Sequence, residues 1–311
     1  MIRPRCPLTG SSQITLRHRF PVRELVELYR LQRGLDVAVE IPGDFVELWH
    51  NPAIDFHFFA PMCDGSAEFY EQLTTDPFYS VEKQEYQFAA GHVAAQDQLL
   101  DVGCGWGHWA PYVSSADYRG VELSRSAVAT CREKGLAVEA RLVQDVAAET
   151  PAAFDIVASF QVLEHLDDPR DFFDHCLRCV KPGGKLIISV PNADSFMGRR
   201  ANNYLNYPPH HVSWWTLDSL QYLAAEFGLR IIDHHADAAT GNEMAMHHAA
   251  RIQGRIDRIA DRAERPVRLG RMDRALLRAF DATGQVISRL GPLGNRPANG
   301  HSITAIFQKP V

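Results

Sequence analysis

The apolar positions of the chain change their period from region to region, and those changes predict its elements. Between residues 99 and 232, short apolar runs alternate with amphipathic stretches, the pattern of βαβ units that build a parallel sheet. Strands are predicted at 99–103, 118–122, 137–143, 154–160 and 185–190. The run Phe154-Asp155-Ile156-Val157-Ala158-Ser159-Phe160 is nearly continuous in apolar residues, as suits a strand covered on both faces. Asp168-Pro169 supplies an N-cap and an N1 proline for a helix that stops at Lys181-Pro182-Gly183-Gly184. A further helix is predicted over 216–227, closed by Gly228 and followed by strand-like Leu229-Arg230-Ile231-Ile232. The alternating stretch 301–307 is predicted to return to the sheet as its last strand. Residues 1–80 carry short apolar runs, scattered prolines and several aromatics, and are assigned a small α+β subdomain of their own.

Charge separates one more element. Residues 251–296 hold eleven Arg, no Lys and five acids, a net of +6 that leaves -12 for the remainder of a chain whose total is -6. Within it Ile252, Ile256 and Ile259 recur on one helical face, and Arg251, Arg255, Arg258 and Arg262 form a parallel stripe. The block is expected to be a helical insertion before the last strand. Its apolar stripe should bury against the core or against a second copy, so a homodimer is one expectation. The Arg stripe could bind phosphate groups, an anionic surface or a partner. The alternative is a solvated face with pairs such as Asp261–Arg265 and Glu264–Arg268. The resulting division is 1–80, 81–237, 238–299 and 300–311.

Composition narrows the class. At 46% hydrophobic and 23% charged residues, the chain has the make-up of a globular protein rather than a disordered one. No stretch approaches the ~18 uninterrupted apolar residues of a membrane span. The N-terminus lacks the apolar run of a secretory signal, and six cysteines without framework spacing read as reduced thiols. A cytoplasmic protein is expected, and the negative net charge argues against a general nucleic-acid binder.

The densest chemistry lies in Asp101-Val102-Gly103-Cys104-Gly105-Trp106-Gly107, at the end of the first core strand, where it is expected to open a helix. Glycines there let backbone N–H groups approach a ligand closely. Glu122 ends the next strand, 19 residues beyond Gly103, where a carboxylate can accept from both hydroxyls of a ribose. A dinucleotide turn would place its third glycine at 108, but His108 stands there and Gly107 precedes it, which weighs against a nicotinamide oxidoreductase.

With those residues in view, the segment resembles motif I of the class I S-adenosylmethionine-dependent methyltransferases. Gly120-Val121-Glu122-Leu123-Ser124, Val143-Gln144-Asp145-Val146, Phe154-Asp155-Ile156-Val157 with Val162-Leu163-Glu164-His165-Leu166, and Val180-Lys181-Pro182-Gly183-Gly184 resemble the later family motifs in order. The resemblance implies an α/β, Rossmann-like seven-stranded sheet with an antiparallel last strand, and S-adenosylmethionine as cofactor. It implies that Asp101, Gly103 and Gly105 hold the methionine end, with Gly107 completing the turn. Glu122 would hold the ribose, Asp145 and Val146 the adenine, and Gln161 would line the methionine side.

Methyl transfer to an alcohol also needs a proton acceptor, and histidine is matched to neutral pH. His165, beyond the fourth strand, and the pair His210-His211, beyond the fifth, are expected to converge where open α/β sheets bind ligands. The competing readings are a loop-ordering hydrogen bond for His165 and a rigid proline-fixed corner for Pro208-Pro209-His210-His211. Tyr204, Tyr207, Trp214 and Trp215 suggest a cyclic acceptor such as a sugar, glycoconjugate or phenol. Some members that methylate ribose or quinone hydroxyls carry an acid three residues before the Glu-His pair and bind a divalent metal. Gln161 stands in that place here, so no metal is assigned. Cys6-Pro7-Leu8-Thr9-Gly10 resembles a zinc-knuckle start with Thr9 in place of the second Cys, which implies a zinc-ribbon-like segment without metal. Cys176 and Cys179 have a redox spacing but sit on a predicted helix without partners. A non-catalytic cofactor-binding subunit and, more weakly, a nucleic-acid methyltransferase are the remaining alternatives.

Overall fold

The computed structural model describes residues 3–73, 83–113, 117–196, 198, 200–259, 266–289 and 298–311. The expectations for Asp261, Arg262, Glu264 and Arg265 fall outside those residues.

The chain opens with β1 (Thr15–Pro21), α1 (Val22–Arg33), β2 (Phe45–Asn51) and β3 (Phe56–Ala60). Helix α1 buries Leu25, Leu28 and Tyr29 and ends at Gly34, whose φ of 70° is the left-handed cap that glycine takes at least cost. Short helices α2 (Ala67–Leu73) and α3 (Gln84–Ala90) lead into the core. There β4 (Gln98–Val102), β5 (Asp117–Val121), α4 (Arg125–Glu133), β6 (Ala137–Glu139), α5 (Val143–Glu149), β7 (Phe154–Phe160), α6 (Pro169–Cys179) and β8 (Val180–Pro191) alternate as the apolar runs foretold. Asp168 caps α6 by accepting from Asp171 N at 3.0 Å. The two-residue β9 (Ser213–Trp214) precedes α7 (Leu217–Glu226), β10 (Arg230–Ala238), α8 (Gly241–Ile259), α9 (Arg271–Arg289) and β11 (Asn299–Gln308).

The large sheet has the order β10-β11-β8-β7-β4-β5-β6. Strand β11 runs antiparallel to both neighbours, and the pairs from β8 to β6 are parallel. This is the seven-stranded mixed α/β sheet that the motifs implied. The carboxyl ends of β4, β5, β7 and β8 face one rim, so the loops after them share one crevice. A second, antiparallel sheet has the order β1-β2-β3-β9. Its fourth strand comes from the loop between β8 and α7, and Phe56, Phe58 and Trp215 pack in one cluster with Leu163, Val190 and Leu220 of the core. Cys6 is buried there too, and the turn it begins is closed by Gly10 N donating to Cys6 O at 2.8 Å. Asn51 Nδ2 donates to Thr9 Oγ1 at 3.2 Å, tying that turn to β2.

Several local expectations need correction. No α-helix follows the glycine turn among the described residues. A 3-10 turn, Ala110–Tyr112, takes its place, with Pro111 inside it and Trp109 buried just before it. The strand expected at 137–143 ends at Glu139, and Val143 instead starts α5. Val180 to Pro191 forms one strand through the Pro-Gly-Gly turn. Finally, Ile256 of the isoleucine stripe does not lie on the buried face of α8. Ile256 is 38% exposed, whereas Ala245 and Ala249 are buried. Gly284 of α9 sits so close that a Cβ there would lie 2.3 Å from Ala245 O. Backbone contact of that kind selects small residues at a helix crossing, so Ala245 and Ala249 face the partner helix.

Candidate active site

The glycine turn hangs on the end of β5. Gly103 N and Cys104 N both donate to Val121 O, at 2.8 and 3.2 Å, and Gly105 N donates to Glu122 Oε2 at 2.9 Å. Gly103, Gly105 and Gly107 have φ of 70°, 51° and 72°, which side chains rarely tolerate. A Cβ on Gly103 would also lie 2.5 Å from Val162 Cγ2, whereas nothing stands within 4 Å of one on Gly105, where the turn is open. Glu122 Oε1 accepts from Leu123 N and Ser124 N, so the carboxylate organises both the turn and the entry to α4.

Asp101 is 2% exposed. Its Oδ2 accepts from Tyr118 Oη at 2.7 Å, while Oδ1 has no hydrogen-bond partner. Burial, reinforced by the nearby charge of Glu122 and opposed by the tyrosine, pushes its pKa up to about 7. An acid in that state wants a cation. Asp145 is exposed in the first turn of α5, and Val146 is buried in the core beside Val143 and Ala147. Gln161 has a left-handed φ of 56° and turns its amide inward, donating to Glu85 Oε2 at 2.8 Å and Ser302 Oγ at 3.2 Å.

Across the rim, His165, His210 and His211 do come together. Their ring centroids are 4.4–5.0 Å apart, and one ligand nitrogen from each lies within 4.8 Å of the others. The loop holding the pair is tied from three sides. Tyr29 Oη donates to Tyr207 O at 2.8 Å, Trp214 Nε1 to Asn206 O at 2.8 Å, and Val212 N to Glu164 O at 2.9 Å. Carbonyls fix the tautomers: His165 Nδ1 donates to His210 O at 2.6 Å and His210 Nδ1 to Leu205 O at 2.8 Å. His211 Nδ1 faces Asn206 Oδ1 at 3.5 Å. That leaves the Nε2 atoms of His165 and His210 as lone-pair acceptors.

Between them lies Glu164, 1% exposed, with neither oxygen hydrogen-bonded. Its Oε1 is 3.4 Å from His165 Nε2 and 3.9 Å from His211 Nε2. Burial raises the Glu164 pKa to about 8 and lowers that of His165 to about 4, with His210 and His211 also driven well below the ordinary imidazole value. The sequence reading placed Glu164 only within a loop motif. Its signal was the one acid in the run Phe160 to Leu166. Tyr70, whose ring lies 5.5 Å from that of His165, and buried Glu85, paired with Lys83 at 3.1 Å, were also missed. Both belong to an aromatic stretch that gives no chemical pattern. Trp215 and Tyr207 are at most 2% exposed, so neither offers a face to an acceptor.

Residues 77–234 match the family model of a methyltransferase domain. Among curated proteins, the chain is 38% identical over 119 residues to the ubiquinone biosynthesis O-methyltransferase of Thiobacillus denitrificans, covering 36% of this chain and 49% of that protein. It is 32% identical over 128 residues to the protein of the same name from Chromobacterium violaceum, covering 38% and 55%. The chain thus spans about half the length of the curated relatives it matches. A solved SAM dependent methyltransferase from Archaeoglobus fulgidus superposes with a TM-score of 0.49 at 15% identity, over 78% of this chain and all of that one.

Proposed function

Because this chain belongs to the methyltransferase domain family, with S-adenosylmethionine as its cofactor, we propose that it methylates a hydroxyl oxygen of a small cyclic acceptor. A phenolic compound is favoured over a sugar or glycoconjugate, since the similar proteins are named as O-methyltransferases of ubiquinone biosynthesis. The observation that carries the reading is the clustering of His165, His210 and His211, with Nε2 of His165 and of His211 3.4 and 3.9 Å from buried Glu164 Oε1, in a fold whose Asp101 keeps one buried oxygen without a partner.

The residues present fit the cofactor. Asp101 Oδ1 is a buried acceptor awaiting an ammonium, and Gly105 leaves open space where backbone and ligand would meet. Glu122 Oε2 keeps acceptor capacity beyond its one bond for a ribose diol. Asp145, exposed beyond β6, is assigned to the adenine amino group with Val146 beneath it. When bound, the cofactor supplies a sulfonium methyl for in-line displacement. The chain's own contribution is to position the hydroxyl and take its proton. His211 Nε2 is assigned that role, with His165 and His210 shaping the same face. Burial keeps these imidazoles neutral, so their lone pairs stay available throughout the physiological range.

The same cluster supports a second reading. One ring nitrogen from each of the three imidazoles lies within 4.8 Å of the others, Glu164 stands beside two of them, and two of the three Nδ1 atoms are anchored on backbone carbonyls. Such a set suits a divalent ion of borderline softness, such as zinc or manganese. Gln161 is not needed for it. An ion there would polarise the acceptor hydroxyl.

Calorimetry with S-adenosylhomocysteine comes first. Micromolar binding lost in Glu122→Ala supports the cofactor site, whereas NAD binding without S-adenosylhomocysteine binding restores the oxidoreductase reading. His211→Ala should then lower turnover on a phenol panel by about 100-fold or more, with S-adenosylhomocysteine affinity unchanged. Unchanged turnover removes His211 from the chemistry. Consumption of the methyl donor at the uncatalysed rate on every acceptor would favour a non-catalytic subunit. Activity that survives chelation and does not rise with added zinc or manganese excludes the metal.

A further inference from the structure

A cavity of about 770 Å³ lies between the antiparallel sheet and α8, away from the glycine turn. One wall carries Arg17 of β1 and His57 of β3, and the other carries Arg251, Arg255 and Arg258 of α8. Arg200 and Arg268 also line it, but each has an acid of its own. Arg268 forms a buried two-pronged pair with Asp257, and Arg200 lies 2.9 Å from Asp281. Among the described residues Asp257 is the single acid in the lining, and it is committed. Arg251 and Arg255 are exposed and make no ion pair among the described residues; Arg258 donates only its Nε, to Gly254 O of its own helix.

The sheet wall is held for the same purpose. Arg17 approaches His50 Nδ1 at 2.7 Å, and His50 Nε2 lies 2.7 Å from Asp55. The ring of His57 stacks on His50 at 4.1 Å, and its Nδ1 is buried without a partner. Uncompensated guanidiniums crowded into a concavity repel one another and focus a positive potential, which a bound anion relieves. Trp214 lines the same space, so an aromatic surface stands beside the cations. A volume of this size suits a small molecule, and a concave wall does not fit a flat bilayer.

We propose that this cavity binds a small phosphorylated or diphosphorylated molecule, its phosphates on Arg251, Arg255 and Arg17 and its organic part against Trp214. The site stands independently of the methyl-transfer reading. The loop carrying Trp214 also carries His210 and His211, so the phosphate belongs either to the acceptor itself or to a separate effector.

The test uses inorganic pyrophosphate as probe, titrated calorimetrically into the full chain at fixed ionic strength. Wild type should bind, and Arg251→Gln/Arg255→Gln should raise Kd at least tenfold. The charge-matched Arg178→Gln/Arg230→Gln, remote from the cavity, should match wild type. Saturating S-adenosylhomocysteine should not displace the probe. Hydrogen exchange within residues 241–259 should slow when pyrophosphate is present, which locates the site without any variant. An equal loss in both double variants, displacement by S-adenosylhomocysteine, no binding, or binding to phosphatidylglycerol vesicles but not to pyrophosphate each overturns the proposal. If it holds, a methylation assay with phosphorylated and dephosphorylated forms of one acceptor separates the sources. A KM that rises on dephosphorylation marks the acceptor, and an unchanged KM marks an effector.

Discussion

On the proposed assignment of Asp101 to the ammonium of the cofactor, cofactor binding becomes a pH-dependent event. Burial lets the free protein hold that proton up to about pH 7, so below this value an arriving ammonium must expel it. S-adenosylhomocysteine affinity should therefore fall as pH drops from 7.5 to 5.5, approaching tenfold per unit, and Asp101→Asn should flatten the profile; a calorimetric series checks this. The stability linkage has the opposite sense. The folded-state pKa is raised, so the ligand-free protein is favoured at low pH and loses that advantage as pH climbs through 7. Gly103 is the second residue on which the crevice turns. Gly103→Ala combines a left-handed φ with a Cβ 2.5 Å from Val162, together worth about 2–4 kcal/mol. Binding of S-adenosylhomocysteine should drop by at least tenfold, and Val162→Ala should restore only the steric part. The glycines and Glu122 were legible because backbone conformation and a carboxylate at a strand end leave short-range signatures. Glu164 was not, since its meaning comes from burial among imidazoles about 45 residues away.

At the scale of elements, periodicity located the strands and helices well where a cap agreed with it, as Asp168 and Gly228 did. It failed where tertiary contact overrode it. Ile256 of α8 has the right spacing for a buried face, yet it is exposed, and the close approach at Gly284 is made by Ala245 and Ala249. Gly284→Ala measures the competition. Alanine gains about 1 kcal/mol in helix propensity, but a Cβ 2.3 Å from the Ala245 carbonyl must push the helices apart at a cost of about 1–3 kcal/mol. The thermal midpoint should fall by a few degrees, with faster hydrogen exchange in α8 and α9. A rise would mean that the hairpin already has slack.

Across the whole molecule, the N-terminal stretch reads from sequence as a separate subdomain, and pairing between distant strands is what no local pattern could display. β3 meets β9 through His57 and Trp214, and Phe56, Phe58 and Trp215 share a cluster with the core. A chain beginning at residue 81 should lose cooperative thermal unfolding and near-ultraviolet circular dichroism, because it bares Trp215 and strands β9 without a neighbour. Retention of both signals would show that the core stands alone. The two-residue strand has a further consequence. The histidine pair is suspended between the two sheets, whereas the glycine turn hangs from the large sheet alone. Grafting a relative's first 62 residues would re-aim the pair while leaving donor binding as it was. On the proposed roles, the contacts to acceptor and to donor would answer to different strands, and the first could be re-aimed from the N-terminal sheet without disturbing the second.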